Sequence, residues 1–346
     1  MSTLHLVNSN AFKIISRDAQ SRAGISNSNS QLLKSPIPSL KSFRINLESW
    51  MEYLPENLTQ IPFIYLAIPG SHNSFSYSIS PNSGVSPDSP LVVQNIGKWC
   101  KPLGNKIIFK WSQGQQQDVT RQLYLGIRYF DIRLVIYKNN DIVVAHGLYG
   151  GRIQGFLEEI NQFLTSHPKE FVVLDFQHFY EFKTEDHERM ITLLVNIFDD
   201  KICRRDRRMR ENTLDLFRQF GNQILIVYRH IITKLNDIFW PSGTWHTPWH
   251  DKIDVNELLE CLNKGLTERK DGMGHVTQAI LTPNVKYITL HTFGSLKKLA
   301  YKSNEKIVSW LETKTCGMGG VNVVICDFIE GYDFTENVIK INYKNL

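Results

Sequence analysis

Two histidines are placed to divide acid and base work. They are His72, in Ile68-Pro-Gly-Ser-His-Asn73, and His146, in Ala145-His-Gly147. An unperturbed imidazole titrates at roughly 6.5, so near neutral pH one ring can take a proton while another gives one. Arg133 lies in residues 127–137, where β-branched and aromatic residues dominate and Arg128, Asp131 and Arg133 interrupt them, and its planar fork suits a phosphate that gathers charge during reaction. Asp131 and Asp327 belong to strand-like apolar runs, where a carboxylate is costly unless it fixes a histidine tautomer or holds an arginine. These parts suit phosphodiester cleavage without a metal.

The apolar runs that carry these groups read as strands. Residues 63–67 stop at Pro69-Gly70 and deliver His72, and residues 142–145 lead to His146 after a turn at Asn139-Asn140. Residues 171–174 end in Asp175 and His178, residues 224–228 in Arg229, and residues 321–326 in Asp327. Helical signals lie between them. Asp118 opens one that Gly126 closes, Ile153, Phe156, Leu157, Ile160 and Leu164 form one stripe, and Asp254 and Glu257 have capping-box spacing. Strand and helix alternate without an internal repeat, which predicts a parallel α/β fold. With about seven strands, an irregular (β/α)8-type TIM barrel is favoured over an open sheet. A barrel gathers the strand ends, and with them His72, His146, Asp175, His178, Arg229 and Asp327, on one face.

The chain has 346 residues, 42% of them hydrophobic, enough for one large domain. Residues 1–45 are rich in Ser and Asn without an apolar period and are read as a flexible extension, leaving 46–346 for the barrel. Five cysteines without CxxC spacing indicate neither a disulfide framework nor a zinc ribbon, which makes a reducing, cytoplasmic setting the default. No segment approaches the ~20 apolar residues of a membrane span. A net charge of +5 is compatible with an anionic membrane surface and far from a nucleic-acid signature.

Four ordered motifs carry a resemblance: residues 68–73, Gln122-Leu-Tyr-Leu-Gly-Ile-Arg-Tyr-Phe-Asp-Ile-Arg133, Ala145-His-Gly147 and Val324-Ile-Cys-Asp-Phe328. The stretch from about Trp50 onward resembles the X domain of phosphatidylinositol-specific phospholipase C, most of all the eukaryotic proteins that contain only that domain. The resemblance implies His72 as the base that deprotonates the inositol 2-hydroxyl. It implies His146 as the acid that protonates the diacylglycerol oxygen, and Asp327 as the carboxylate orienting the base. Asp131 and Arg133 match the Asp-x-Arg pair of the bacterial, metal-independent enzymes, and Arg229 falls where those enzymes hold an arginine near the inositol hydroxyls. Calcium-dependent relatives place Asn after the first histidine and an acid at the position of Arg133. Here Asn73 follows that pattern, but the fixed charge of Arg133 repels calcium, so no metal and no cofactor is implied. Asn73 also replaces the bacterial-type Asp that assists the acid. The implied partner is a phospholipid met peripherally at a membrane surface.

Other features weigh less. Arg128 reads equally as a structural partner of Asp131 or Asp175 and as a substrate contact, while Asp175 and His178 stand at a strand end without a distinctive motif. His246 and His250 flank Pro248, which argues against a shared helical face and a zinc site. Trp240, Trp245 and Trp249 read as loop core, with the sharper expectation that some rim the mouth at the lipid headgroup level. The cluster from Arg204 to Arg210 would attract anionic lipid only if it shared the face of His72. Two readings compete with a phospholipase. A glycerophosphodiesterase-like barrel lacks its clustered metal-binding acids here, and a headgroup-binding module of weak turnover is kept open by Asn73.

Overall fold

The computed structural model describes residues 44–90, 94 and 103–345. The expected flexible extension therefore lies, but for its last two residues, outside the described residues, as does Cys100. Seven strands run parallel to their neighbours: β1 (Ile68–Ser71), β2 (Tyr129–Tyr137), β5 (Val172–Tyr180), β6 (Ile224–Tyr228), β7 (Trp245–His246), β8 (Gly274–Gln278) and β9 (Val323–Cys326). Their order is β7-β8-β9-β1-β2-β5-β6. Between β6 and β7 the ladder gives way to a bridge, Val227–Trp240, in which the Tyr228 N–H donates to the Trp240 carbonyl and the Trp240 N–H to the Ile226 carbonyl. The result is an irregular α/β barrel of the TIM type.

Strand parity separates lumen from mantle. Ile68, Tyr129, Val173, Val227, Val276, Val323 and Ile325 share one buried cluster, whereas Phe130, Val172, Leu174, Ile226, Val324 and Cys326 belong to the cluster that packs on the helices. In β2 the same parity sends Asp131 and Arg133 inward, and beyond β1 and β9 it sends His72 and Asp327 there too. The stripe Ile153, Leu157, Ile160 and Leu164 is buried along the helix Ile153–Ser166, as its period predicts. Asp118 caps the helix Val119–Tyr124, Asp254 caps Val255–Thr267, and Gly126 follows the first of these at φ +96°.

Three expectations are corrected. The run 63–67 is not the first strand: Phe63–Tyr65 forms a 3₁₀ turn behind Pro62, and the motif Ile68–Ser71 is itself β1. It can be central because Gly70 has no side chain, since a Cβ there would meet Ile325 at 2.8 Å and Tyr129 at 2.9 Å. Second, His146 does not end a parallel strand. β3 (Asp141–His146) and β4 (Leu148–Arg152) form an antiparallel extension of β2, turned by Asn139 and Asn140, both at positive φ. Third, β5 does not stop at Leu174. It follows β2 to Tyr180, and the pairing passes over Gln177 between Phe176 and His178, a bulge beside the site.

Candidate active site

The mouth of the barrel holds a cavity of about 530 Å³ lined by His72, Asp131, Arg133, His146, His178 and Asp327 among others. Asp327 Oδ1 accepts from Nδ1 of His72 at 2.8 Å, which fixes the tautomer and leaves the Nε2 lone pair facing the cavity. Ser112, the last residue of the helix Leu103–Ser112, takes the Nδ1 proton of His146 on its carbonyl at 2.6 Å, so that ring too presents Nε2. The ring centroids lie 6.3 Å apart. Arg133 Nη2 reaches His72 Nε2 at 3.3 Å and lies 3.7 Å from Asp131 Oδ2.

Asn73 stands between the rings. Its φ of 43° lies in the left-handed region, which asparagine tolerates, and its backbone N–H donates to Asp131 Oδ2 at 2.9 Å. The side-chain Nδ2 donates to Nε2 of His72 at 3.1 Å and of His146 at 3.0 Å, while Oδ1 is buried without a hydrogen-bond partner among the described residues. A donor facing two lone pairs fits two neutral imidazoles. A proton on His146 Nε2 requires the amide to turn its oxygen toward that ring.

The electrostatics follow the geometry. Burial pushes the His146 imidazole below its ordinary value, and Arg133 and His72 push the same way, against Asp88 and the Ser112 carbonyl. Burial alone would raise the Asp131 carboxyl, but Arg133, His72 and the Asn73 amide hold it below the usual range. The Asp175 carboxyl is raised by burial, against the Arg229 fork and the Tyr129 hydroxyl. Burial and Arg133 lower His178.

Several supporting residues carry no signal that the sequence reading used. Gln115 is buried, and its Nε2 donates to the carbonyls of His72 and Cys326 at 2.9 Å each, tying the base to the end of β9. Gly114 lies so close to Asp327 that a Cβ would meet Oδ1 at 2.6 Å. Gln177, Thr247 and Gln278 bring neutral polar groups to the cavity, and Trp111, Leu281 and Leu296 an apolar wall. Gln177 sits at the bulge within β5, Thr247 follows β7 and Gln278 ends β8.

The remaining expected site residues divide. His178 reaches the cavity. Asp175 is fully buried below it, gripped by Nε and Nη2 of Arg229 at 2.7 Å each, with Tyr129 Oη donating at 2.6 Å. Arg229 also donates to the Trp245 carbonyl at 2.9 Å, so its fork ties β5, β6 and β7 together and does not line the cavity. Arg128 as a substrate contact is corrected. It is wholly buried at the start of β2, paired with Glu170 at 2.8 Å and donating to the carbonyls of Leu123, Ile127 and Glu48. Neither Asp131 nor Asp175 is its partner. Trp240 and Trp245 are core, while Trp249 lines the cavity and is 61% exposed. The Arg204–210 segment lies at the opposite end of the strands, where Cys203 bonds Ile224 at the start of β6. There Arg207 pairs with Asp206, Arg208 with Glu211 and Arg210 with Asp271.

Among the described residues, no group of three or more His, Cys, Asp or Glu is arranged to hold a metal ion, and no helix is long and apolar enough to cross a membrane. Solved structures share the barrel. The phosphatidylinositol-specific phospholipase C from Listeria monocytogenes superposes with a TM-score of 0.59 at 21% identity, over 86% of this chain and 99% of that one. A Staphylococcus aureus phosphatidylinositol-specific phospholipase C gives 0.61 at 19% identity, over 86% and 98%. The fold is therefore that of a phosphatidylinositol-specific phospholipase C. The family model described as "Phosphatidylinositol-specific phospholipase C, X domain" matches residues 104–230. PI-PLC X domain-containing protein 3 of Mus musculus is 35% identical over 304 residues, 86% of this chain and 94% of that protein. PI-PLC X domain-containing protein 1 of Homo sapiens is 28% identical over 306 residues, 86% and 93%. The chain belongs to the family of PI-PLC X domain-containing proteins.

Proposed function

We propose that the protein is a phospholipase C-type phosphodiesterase acting on an inositol phospholipid at a membrane surface. His72 Nε2 takes the proton of the inositol 2-hydroxyl, whose oxygen attacks phosphorus. The bond from phosphorus to the diacylglycerol oxygen breaks, and His146 Nε2 protonates that oxygen. Diacylglycerol leaves, and a cyclic inositol phosphate remains. Water then opens the ring with the two histidines exchanging roles, giving inositol phosphate. Arg133 neutralises charge on the non-bridging oxygens, held in place by Asp131. It brings a fixed positive charge to the position that a metal serves in calcium-dependent relatives.

The observation that carries this reading is the pair of Nε2 atoms facing one cavity, each with its Nδ1–H engaged, with the Arg133 fork beside them. Release of soluble phosphoinositol from labelled phosphatidylinositol vesicles in EDTA tests it. Wild type is expected to release product and folded His72→Ala to lose at least about 10³-fold in rate. Equal, negligible release from both sinks the enzyme reading. The alternative, a headgroup-binding module of weak turnover, draws support from the Asn73 amide, which occupies the Nε2 atoms of both rings. It predicts saturable binding of phosphatidylinositol vesicles without release.

A further inference from the structure

Resting on the phosphodiesterase reading, we propose that Asp88 is the carboxylate that supports His146 as the acid, the role Asn73 cannot fill. It is a positioning residue, acting through His146 without touching substrate.

Residues 85–89 are fastened to the corner where β3 passes into β4. Asp88 Oδ2 accepts from the N–H of Gly147, the residue after His146, at 2.9 Å. The Gly147 carbonyl accepts from the Ser86 N–H at 3.0 Å and the Ser89 hydroxyl at 3.1 Å, and Val85 bridges Leu148. Gly147 has φ +71°, and a Cβ there would meet Ser112 Oγ at 2.1 Å. The corner is thus pressed on one side against Ser112, whose carbonyl holds His146 Nδ1, and fastened on the other to Asp88.

Asp88 Oδ1 is buried without a hydrogen-bond partner, and no ion pair holds the carboxylate among the described residues. The residue as a whole is half-buried, and a carboxylate oxygen kept from water without a partner is unfavourable unless it serves a positive charge nearby. The same charge favours protonation of His178, across the cavity. The groups acting on His146 are Arg133 from β2 and His72 beyond β1, both opposing an imidazolium. The Ser112 carbonyl, at a helix C-terminus, and Asp88 both favour one. Asn73 faces the ring with a neutral amide. When His146 takes up the proton it will give to the leaving oxygen, Asp88 is the anion placed to stabilise the cation. No proton passes to Asp88 itself.

The Asp88→Asn variant keeps an acceptor for Gly147 N–H and removes the charge. The His146 ring resonance, followed by NMR against pH in the intact protein, is expected to titrate about half to one unit lower than in wild type. Cleavage of phosphatidylinositol near neutral pH is expected to slow about 3- to 10-fold. A nitrophenyl ester of inositol phosphate, whose leaving group needs no proton, is expected to be cleaved at the wild-type rate. Asn73→Asp added to Asp88→Asn is expected to restore the lipid rate. An unchanged His146 titration, or equal slowing on both substrates, overturns the proposal. If wild type cleaves neither substrate, the phosphodiesterase reading fails, and the NMR arm still decides whether Asp88 supports the imidazolium.

Discussion

Asn73 stands between the two rings that the proposed mechanism uses as base and acid. Its Nδ2 contacts Nε2 of both histidines, so replacing it with Asp puts a negative charge at hydrogen-bond distance from each ring. A carboxylate favours the imidazolium, so the proton that His146 gives as the proposed acid is held to higher pH. The alkaline limb of the kcat/KM profile is expected to move to higher pH by about one unit. Rates measured from pH 5 to 9 on phosphatidylinositol vesicles check this, and a profile that does not move removes Asn73 from the proton balance. The wild-type acid limb starts from an imidazole that burial already holds below its ordinary value, so activity is expected to fall as pH rises through a point below 6.5.

At the level of strands and helices, a buried ion pair plugs the lower end of the barrel. Arg128 and Glu170 form a buried pair at the start of β2, with Glu170 also accepting from the Met51 and Glu52 N–H groups. Glu170→Gln leaves the arginine charge buried without its counter-ion and is expected to cost about 3–5 kcal/mol in urea unfolding, with His72 geometry intact. The loss should be smaller when Arg128→Met is combined with it, which a double-mutant cycle measures. At the mouth, Trp249 donates to Thr282 Oγ1 at 3.0 Å and keeps its ring exposed, near the segment after β8 that carries Leu290 and Phe293, 71% and 93% exposed. Trp249→Ala is expected to weaken vesicle binding about tenfold while turnover of a soluble ester is retained. Unchanged sedimentation with vesicles would end the rim expectation for this residue. The strand motifs themselves were legible: parity along residues 127–137 and 321–326 already aims Asp131, Arg133 and Asp327 to one side. What was not legible came from pairing. The bulge at Gln177, the true extent of β5 and the antiparallel hairpin carrying His146 depend on neighbours distant in sequence. Gln115 acts through the carbonyls of His72 and Cys326, and Gly114 through its closeness to the Asp327 carboxylate. Arg128 was misread because its partner, Glu170, lies 42 residues away.

The barrel as a whole separates the proposed site from paired charges along its axis. The cavity and the exposed rim lie at the C-terminal ends of the strands, while the Arg128–Glu170 pair and the Arg204–210 segment, whose Arg207, Arg208 and Arg210 pair with acids, lie at the other end. Between them the fold buries neutral histidines, and this makes it acid-sensitive. His187 stacks on His230 at 3.7 Å, shares a 2.8 Å hydrogen bond with the Tyr228 hydroxyl, and is held to about 4, by burial first and His230 second. His275 is held to about 3 by burial, then Arg269 and the neighbouring His246 and His250. In each case the unfolded chain binds a proton near pH 6.5 and the folded one does not, so stability is full above 6.5 and is lost as pH falls toward the folded values. Discounted for partial solvent screening, the two together cost about 2 kcal/mol at pH 5, roughly 4 °C in Tm. Below about pH 3.8 a further loss begins, because Asp131 is held below the usual carboxylate range and must be protonated. His187→Phe keeps an aromatic ring among Phe179, Phe182 and Tyr228 and removes one titration. It is expected to flatten the fall in Tm between pH 7 and 5 by about half. Thermal melts of both proteins at several pH values check this, and parallel curves would show that His187 takes no part in the acid response.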